Sequence, residues 1–184
     1  MLKSKLARGD TVIGSWISLP SQAIAEILSN AGFDWIVVDL EHSSIDISQA
    51  ADLISTIDLA GTTPLVRLTS NDPNQIKRVM DAGARGIVVP MVNTRAEAQA
   101  AVDATRYLPS GSRGVGLARA QGYGATFEKY KEWQTAGPIV VVQIEHVKAL
   151  EELEEIFNVE GVDAYMIGPY DLTSSLGMAG QFKS

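Results

Sequence analysis

Six apolar runs rich in β-branched residues recur along the 184-residue chain, and amphipathic stretches separate them. The runs are continuously apolar and not alternating, which is typical of strands buried on both faces in a parallel sheet covered by helices. No Gly-x-Gly-x-x-Gly motif follows any run, so the α/β pattern favours a (β/α)8 TIM-barrel type over a doubly wound dinucleotide-binding sheet. The predicted strands are 11–18, 35–41, 64–68, 86–92, 138–145 and 164–167.

The stretches between the runs carry helix start and stop signals. Ser21 is a predicted N-cap of a helix that stops at Gly32, and Asp72 followed by Pro73 is a strong helix start. The glycine-rich segment 107–134 interrupts this rhythm and is too long for a plain connection in a compact domain. We therefore predict a functional loop there, with some helix of its own.

The number of strands conflicts with a closed barrel. Such a barrel has eight strands and typically about 250 residues, whereas this chain ends after six βα units. We expect a single, incomplete barrel domain over residues 1–184 that lacks its C-terminal portion. An open six-stranded sheet would leave two bare edges.

Charge and composition exclude several classes of protein. The chain has 22 acids against 15 bases, a net charge of −7 and no basic block, which argues against nucleic acid or an anionic membrane as a partner. The absence of cysteine excludes disulfides, zinc–thiolate sites and thiol nucleophiles. The N-terminal segment is charged, and no apolar run approaches the roughly 20 residues that span a bilayer. We predict a soluble cytoplasmic protein.

Polar groups gather where the apolar runs end, which is where a βα barrel carries its active site. Glu145 and Asp171 follow adjacent strands, so their carboxylates can converge. Two carboxylates suit a hard divalent ion such as Mg²⁺ or Mn²⁺. The alternative is a pair of acids that cap helices or bind lysines, and composition alone does not decide between the two. The strand-end groups are Trp16, Asp39, Glu41, His42, Arg67, Gln143, Glu145 and Asp171, the last just past Gly168-Pro169-Tyr170.

Two further residues, Arg67 and His42, each have two interpretations, and a third, Asp81, lies at an unusual position. Arg67 could stabilise an enolate or bind a carboxylate, or form an ion pair with a neighbouring acid. His42 could be a general acid or base, or it could cap a helix. Asp81 lies at a helix C-terminus, which is unfavourable for an anion and indicates a cationic or histidine partner. The methionines, Met91 among them, are interpreted as core-filling side chains.

Seven motifs follow one another along the chain in an order that resembles one known family. This is the HpcH/HpaI family, which comprises the class II, metal-dependent pyruvate aldolases of the phosphoenolpyruvate/pyruvate barrel superfamily. The resemblance runs from about residue 6 to the end of the chain. The motifs are Asp39-Leu-Glu-His42, Pro64-Leu-Val-Arg67, Asn71-Asp-Pro73, Val89-Pro-Met91, Arg113-Gly-Val-Gly116, Val142-Gln-Ile-Glu145 and Gly168-Pro-Tyr-Asp-Leu172.

The resemblance implies an activity and a site. Family members reversibly cleave 4-hydroxy-2-oxo acids into pyruvate and an aldehyde, usually as hexamers with exchanged C-terminal helices. Glu145 and Asp171 would hold the divalent ion, for which Co²⁺ is a further candidate beside Mg²⁺ and Mn²⁺. Arg67 would lie against the keto oxygen, and His42, paired with Asp81, would handle the proton of the aldol hydroxyl.

The remaining implied residues form the substrate pocket. Gln143 and the turn of Gly168, Pro169 and Tyr170 would complete the pyruvate site, with Trp16 at the end of the first strand. Two alternatives to the aldolase stay open. One is an acyl-CoA lyase of the citrate-lyase-β type, which the Asp-Leu-Glu-His segment fits less well. The other is a non-catalytic, truncated fragment that assembles with a complete partner.

Overall fold

The computed structural model describes residues 2–182, so residues 1, 183 and 184 of the predicted domain lie outside the described range. Six strands form one parallel sheet in the order of the sequence. This arrangement confirms the predicted βα succession, and the two edges of the sheet are its first and last strands. The strands are β1 (Gly14–Ile17), β2 (Trp35–Asp39), β3 (Thr63–Arg67), β4 (Gly86–Val89), β5 (Ile139–Ile144) and β6 (Ala164–Ile167).

Helices connect the strands in the way that a βα barrel requires. Within residues 2–182, none of them is long and apolar enough to cross a membrane. The helices are α1 (Leu2–Ala7), α2 (Gln22–Asn30), α3 (Ile47–Leu59), α4 (Pro73–Ala82), α5 (Arg95–Thr105), α6 (Phe127–Gln134), α7 (Val147–Glu151), α8 (Leu153–Phe157) and α9 (Pro169–Ser175).

The predicted helix starts are confirmed by their hydrogen bonds. The Ser21 hydroxyl accepts the backbone N–H of Ile24 at 3.4 Å, at the start of α2. The Asp72 carboxylate accepts the N–H of Asn74 at 2.9 Å, and Pro73 occupies the first turn of α4. Each such cap satisfies a backbone donor that the helix leaves unpaired, and it stabilises the fold by about 1 kcal/mol.

Apolar side chains cover both faces of the sheet. The larger cluster fills the space between the outer face and the helices. A smaller one, the inner cluster, lines the concave face. Since alternate residues of a strand face opposite sides, burial on both faces explains why the runs are continuously apolar. The inner cluster consists of Leu2, Val37, Leu65, Val88 and Ile139.

An N-terminal helix that the sequence patterns did not predict closes the N-terminal end of the sheet. Leu2 of α1 is buried in the inner cluster. The Lys3 ammonium donates to the carbonyl of Pro138 at 2.8 Å and to the carboxylate of Asp163 at 3.1 Å. These two residues directly precede β5 and β6, so α1 lies where the strands begin.

The glycine-rich segment 107–134 also lies where the strands begin. It contains a 3-10 turn, Arg119–Gly124, and α6, which confirms the predicted helix within it. The Arg119 guanidinium donates to Asp58 at 2.9 Å, to Ser55 at 3.1 Å and to the carbonyl of Ala82 at 3.3 Å. These acceptors belong to the C-terminal parts of α3 and α4, which run back towards the strand N-termini.

Candidate active site

The carboxyl ends of β2 and β3 carry charged side chains on the concave face. Asp39 lies two residues beyond Val37, and Arg67 lies two residues beyond Leu65, so both face the side that the inner cluster lines. The strand register pairs Asp39 with Arg67. The same alternation places Gln143 of β5 on this face. Strand direction and alternation therefore bring the predicted residues to one edge.

Asp39 and Arg67 form a bidentate ion pair. Arg67 Nε lies 2.9 Å from Asp39 Oδ1, and its NH2 lies 2.6 Å from Oδ2. Asp39 Oδ1 also accepts the backbone N–H groups of Glu41 at 3.0 Å and His42 at 3.2 Å. Burial by itself raises the pKa of Asp39, but the hydrogen bonds from Arg67 and His42 outweigh it and leave that pKa below its ordinary value. Asp39 thus stays ionised and fixes Arg67.

Two more groups hold the Arg67 guanidinium in place. Its NH1 lies 3.3 Å from Glu41 Oε2. Its central carbon lies 4.7 Å from the centroid of the Trp16 ring, a cation–π contact. Arg67 therefore forms an ion pair with neighbouring acids, which was one of its two interpretations. Its orientation is set by these carboxylates and by the Trp16 ring.

Glu41 lies between Arg67 and His42. Burial raises the pKa of Glu41 above its ordinary value, Arg67 opposes this, and the charge of Glu145 raises it further. Its Oε2 atom is shielded from solvent and lies 3.9 Å from His42 Nε2. Glu41 is thus an acid in contact with both Arg67 and His42, the two residues for which the sequence predicts a possible catalytic role.

His42 and Asp81 are at opposite ends of the sheet. His42 follows β2, and its side chain is 66% exposed. Asp81 is near the C-terminus of α4, which returns towards the strand N-termini. Burial raises the pKa of Asp81, while the charges of Arg113 and Lys77 lower it. The predicted pairing with His42 is therefore not formed within this chain, and the acid beside His42 is Glu41.

Glu145 is a buried carboxylate with a fixed orientation. It is 2% exposed, and its Oε1 accepts the backbone N–H of Met91 at 2.6 Å. Its Oε2 accepts the side-chain amide of Gln143. A Cβ atom at Gly168 would lie 2.6 Å from Oε2, so only glycine allows the chain to pass so close. Since a carboxylate has about four lone-pair positions, about two remain after these bonds.

Asp171 stands on the helix that begins beside Glu145. Gly168 is the N-cap of α9 and Pro169 its first residue, which puts Asp171 in the first turn. Asp171 is exposed. The ring of Tyr170 is 67% exposed and meets Phe182 edge to face, with centroids 5.0 Å apart.

The donor set suits a divalent ion that keeps most of its water. Residues 2–182 contain no cluster of three or more His, Cys, Asp or Glu arranged to hold a metal. Mg²⁺ is commonly bound through one or two carboxylates while several waters remain. The side-chain oxygen of Gln143 is buried and has no hydrogen-bond partner among the described residues. The chemistry of Glu145, Asp171 and this orphan oxygen therefore suits such an ion.

Met91 is the residue of this site that the sequence patterns missed. The predicted strand 86–92 ends at Val89, because Pro90 cannot donate to the sheet. Met91 then adopts a left-handed φ of 55° and remains 46% exposed, so its interpretation as core filling was wrong. The proline at a strand end, within Val89-Pro-Met91, was the signal that could have indicated a change of chain direction here.

Fold and site together define a βα-barrel type protein whose strand ends carry carboxylates suited to a divalent cation. The family profile described as HpcH/HpaI aldolase/citrate lyase matches residues 12–183. The chain belongs to this family, as the resemblance predicted.

Individual relatives agree with that assignment. The chain is 41% identical over 181 residues to a hydroxypyruvate/pyruvate aldolase of Roseobacter denitrificans, covering 97% of this chain and 70% of the relative. It is 42% identical over 180 residues to a 4-hydroxy-2-oxo-heptane-1,7-dioate aldolase of Escherichia coli, covering 97% and 68%. A crystal structure of a family protein from Burkholderia cenocepacia superimposes with a TM-score of 0.91 at 36% identity, covering 99% and 74%.

Proposed function

We propose that this chain carries the active site of a divalent-metal-dependent aldolase, which reversibly cleaves a 4-hydroxy-2-oxo acid into pyruvate and an aldehyde. The observation that carries the proposal is the buried Glu145 carboxylate, held by Met91 and Gln143 on the face where Asp39 fixes Arg67. Two relatives that are 41% and 42% identical to this chain are both named aldolases.

Glu145 and Asp171 would hold the ion, Mg²⁺ or Mn²⁺, with Co²⁺ as a further candidate. When bound, it supplies Lewis-acid stabilisation of the pyruvate oxygens. Gln143, the turn from Gly168 to Tyr170, and Trp16 would line the pocket for pyruvate. We further propose that the protein is cytoplasmic and forms a homo-oligomer, which is a hexamer by family resemblance.

Arg67 would stabilise the charge that develops during cleavage. In the retro-aldol direction, the bond between C3 and C4 breaks and its electron pair becomes the enolate of pyruvate, while the C4 hydroxyl loses its proton as the aldehyde forms. A guanidinium held by Asp39 and Trp16 does not have to reorganise to face that enolate oxygen. None of the six strands ends on a lysine that could form a Schiff base instead.

His42 would accept the proton of the C4 hydroxyl. Its imidazole is exposed at the end of β2, and histidine is the side chain that most often serves as a general acid or base. Glu41, 3.9 Å away, is its acidic neighbour in the same chain. Asp81 lies at the other end of the sheet and has no part in this step within one chain.

The experiment is turnover by the purified 184-residue chain with Mn²⁺, pyruvate and a short aldehyde. We expect aldol addition that a chelator abolishes, and His42→Ala should keep Mn²⁺ affinity while it loses carbon–carbon bond cleavage. Normal turnover by His42→Ala would refute the assignment of His42 as the base. Cleavage of an acyl-CoA ester alone would favour the citrate-lyase type, and absence of both Mn²⁺ binding and turnover would favour the non-catalytic fragment.

A further inference from the structure

Met91 has a backbone conformation that its side chain does not favour. Its φ of 55° lies in the left-handed region, which is uncommon for residues other than glycine and occurs several-fold more often for asparagine than for most others. Residues held in such conformations cluster at ligand sites, where the surrounding contacts impose them. Met91 directly follows β4 and Pro90, at the edge of the sheet that carries Glu145.

Three hydrogen bonds impose this conformation. The N–H of Met91 donates to Glu145 Oε1 at 2.6 Å, and its carbonyl accepts the side-chain amide of Asn93 at 2.9 Å. The next N–H, that of Val92, donates to the carbonyl of Gln143 at 3.3 Å. The chain therefore turns across the end of β5, and the turn aims one backbone donor at the buried carboxylate.

Tyr123 has the same φ of 55° in a different setting. It lies between Gly122 and Gly124 in the 3-10 turn at the other end of the sheet, and its ring is 75% exposed. Its N–H donates to the carbonyl of Ala118 at 2.8 Å, which is an ordinary turn contact. Tyr123 is thus a matched comparison for Met91, with an equal φ and no carboxylate partner among these contacts.

We propose that Met91 is a positioning residue for the metal site. Its left-handed backbone directs an N–H to Glu145 Oε1 and so presents the remaining lone pairs of that carboxylate to the cation. The inference rests on the proposed function, since it takes Glu145 as a metal ligand. It also implies that the side chain at position 91 matters chiefly through the backbone conformation that it permits.

The test compares Mn²⁺ affinity across two pairs of variants. Free Mn²⁺ is measured by electron paramagnetic resonance for wild type, Met91→Val, Met91→Asn, Tyr123→Val and Tyr123→Asn, with the melting temperature of each metal-free chain. β-Branched valine resists the left-handed region, so Met91→Val should weaken Mn²⁺ binding roughly 10- to 100-fold, the range for residues that orient a ligand. Met91→Asn should restore wild-type affinity, and both Tyr123 variants should bind Mn²⁺ normally.

The outcomes separate this inference from the proposed function. Wild-type affinity in Met91→Val, or an equal loss in Tyr123→Val, would overturn the positioning role. Failure of the wild type to bind Mn²⁺ would overturn the metal site itself. If Met91→Val does not fold, the nuclear magnetic resonance spectrum of the wild-type amide protons tests the proposal instead. Addition of Mg²⁺ should shift the amide proton signal of Met91 and leave that of Tyr123 in place. An unmoved Met91 signal during saturation with Mg²⁺ would refute the proposal.

Discussion

The two ends of the six-stranded sheet each carry an arginine among aromatic and polar groups, but they enclose it to different degrees. At the carboxyl end, Arg67 stacks on one ring and pairs with Asp39, and its side chain keeps 14% of its exposure. At the amino end, Arg113 is 3% exposed, and its central carbon lies 4.3 Å from the Tyr107 ring and 5.4 Å from the Tyr130 ring. One guanidinium borders an accessible edge, and the other is enclosed.

The difference follows from the direction of the chain. Parallel strands all end at one edge, so the residues that follow them form turns with accessible polar groups, which is where βα barrels place their chemistry. Helices end at the other edge, where Arg119 and Asp58 join the segment 107–134 to α3. We therefore expect substitutions at the first edge to change metal binding and turnover, whether or not they also change stability, and substitutions at the second edge to change stability alone.

The largest expected effect is that of Glu145→Gln. Loss of the charged ligand should lower aldol turnover about 10³-fold, the upper range for removal of one preorganised electrostatic group. Mn²⁺ affinity, measured by titration, should fall with it. Glu128→Gln is the control, because Glu128 is an exposed acid of α6. An unchanged Mn²⁺ affinity in Glu145→Gln would contradict the assignment of metal binding to the carboxyl end of the sheet.

Asp39→Asn should show how strongly the carboxyl end contributes to the fold. Because the folded pKa of Asp39 lies below its ordinary 3.8, its stabilisation is present above 3.8 and is lost as the pH falls through the folded value. Breaking the pair should lower the free energy of unfolding by about 3 kcal/mol at pH 7. Urea titrations at pH 7 and in acid should find that the difference shrinks in acid.

A surface pair provides the reference for that measurement. Asp10 pairs with Arg8 among exposed side chains, so Asp10→Asn should change stability by less than about 1 kcal/mol. A deficit in Asp39→Asn that stayed constant down to the lowest pH would mean that it arises from packing and not from ionisation.

Arg119→Ala tests the amino end. Its guanidinium bonds Asp58, Ser55 and the carbonyl of Ala82, so truncation should lower the free energy of unfolding by about 2 kcal/mol. Mn²⁺ affinity should stay at the wild-type value. Arg95→Ala is the matched control, since Arg95 pairs with Glu155 on the exposed surface at 3.5 Å. Reduced Mn²⁺ binding by Arg119→Ala would contradict the division of roles between the two edges.

The smallest effect is expected from Tyr123→Asn. Asparagine adopts the left-handed region more readily than tyrosine, and the ring it replaces is largely exposed. The free energy of unfolding should rise by about 1 kcal/mol, detectable as a higher melting temperature. A lower melting temperature would show that the ring of Tyr123 contributes packing that outweighs the backbone strain.

Much of the fold could be predicted because its signals are local. A continuous apolar run indicates a strand buried on both faces, and Asp72 with Pro73 indicates a helix start, without knowledge of distant residues. The helix α1 was missed because its burial depends on a groove formed by strands far along the chain. The end of β4 was placed three residues late, since apolarity continues through Val92 although the ladder stops before Pro90.

The sequence by itself determined which edge carries the chemistry, because parallel strands connected by helices all end at the same side. It therefore predicted that Asp39, Arg67 and Gln143 would lie at one edge. Only the tertiary structure decided their partners. It set Glu41 beside His42 and Asp81 at the opposite end, and it turned the backbone of Met91 onto Glu145. The contact of Met91 with Glu145 joins residues far apart in the chain, and its geometry depends on how whole strands and helices pack.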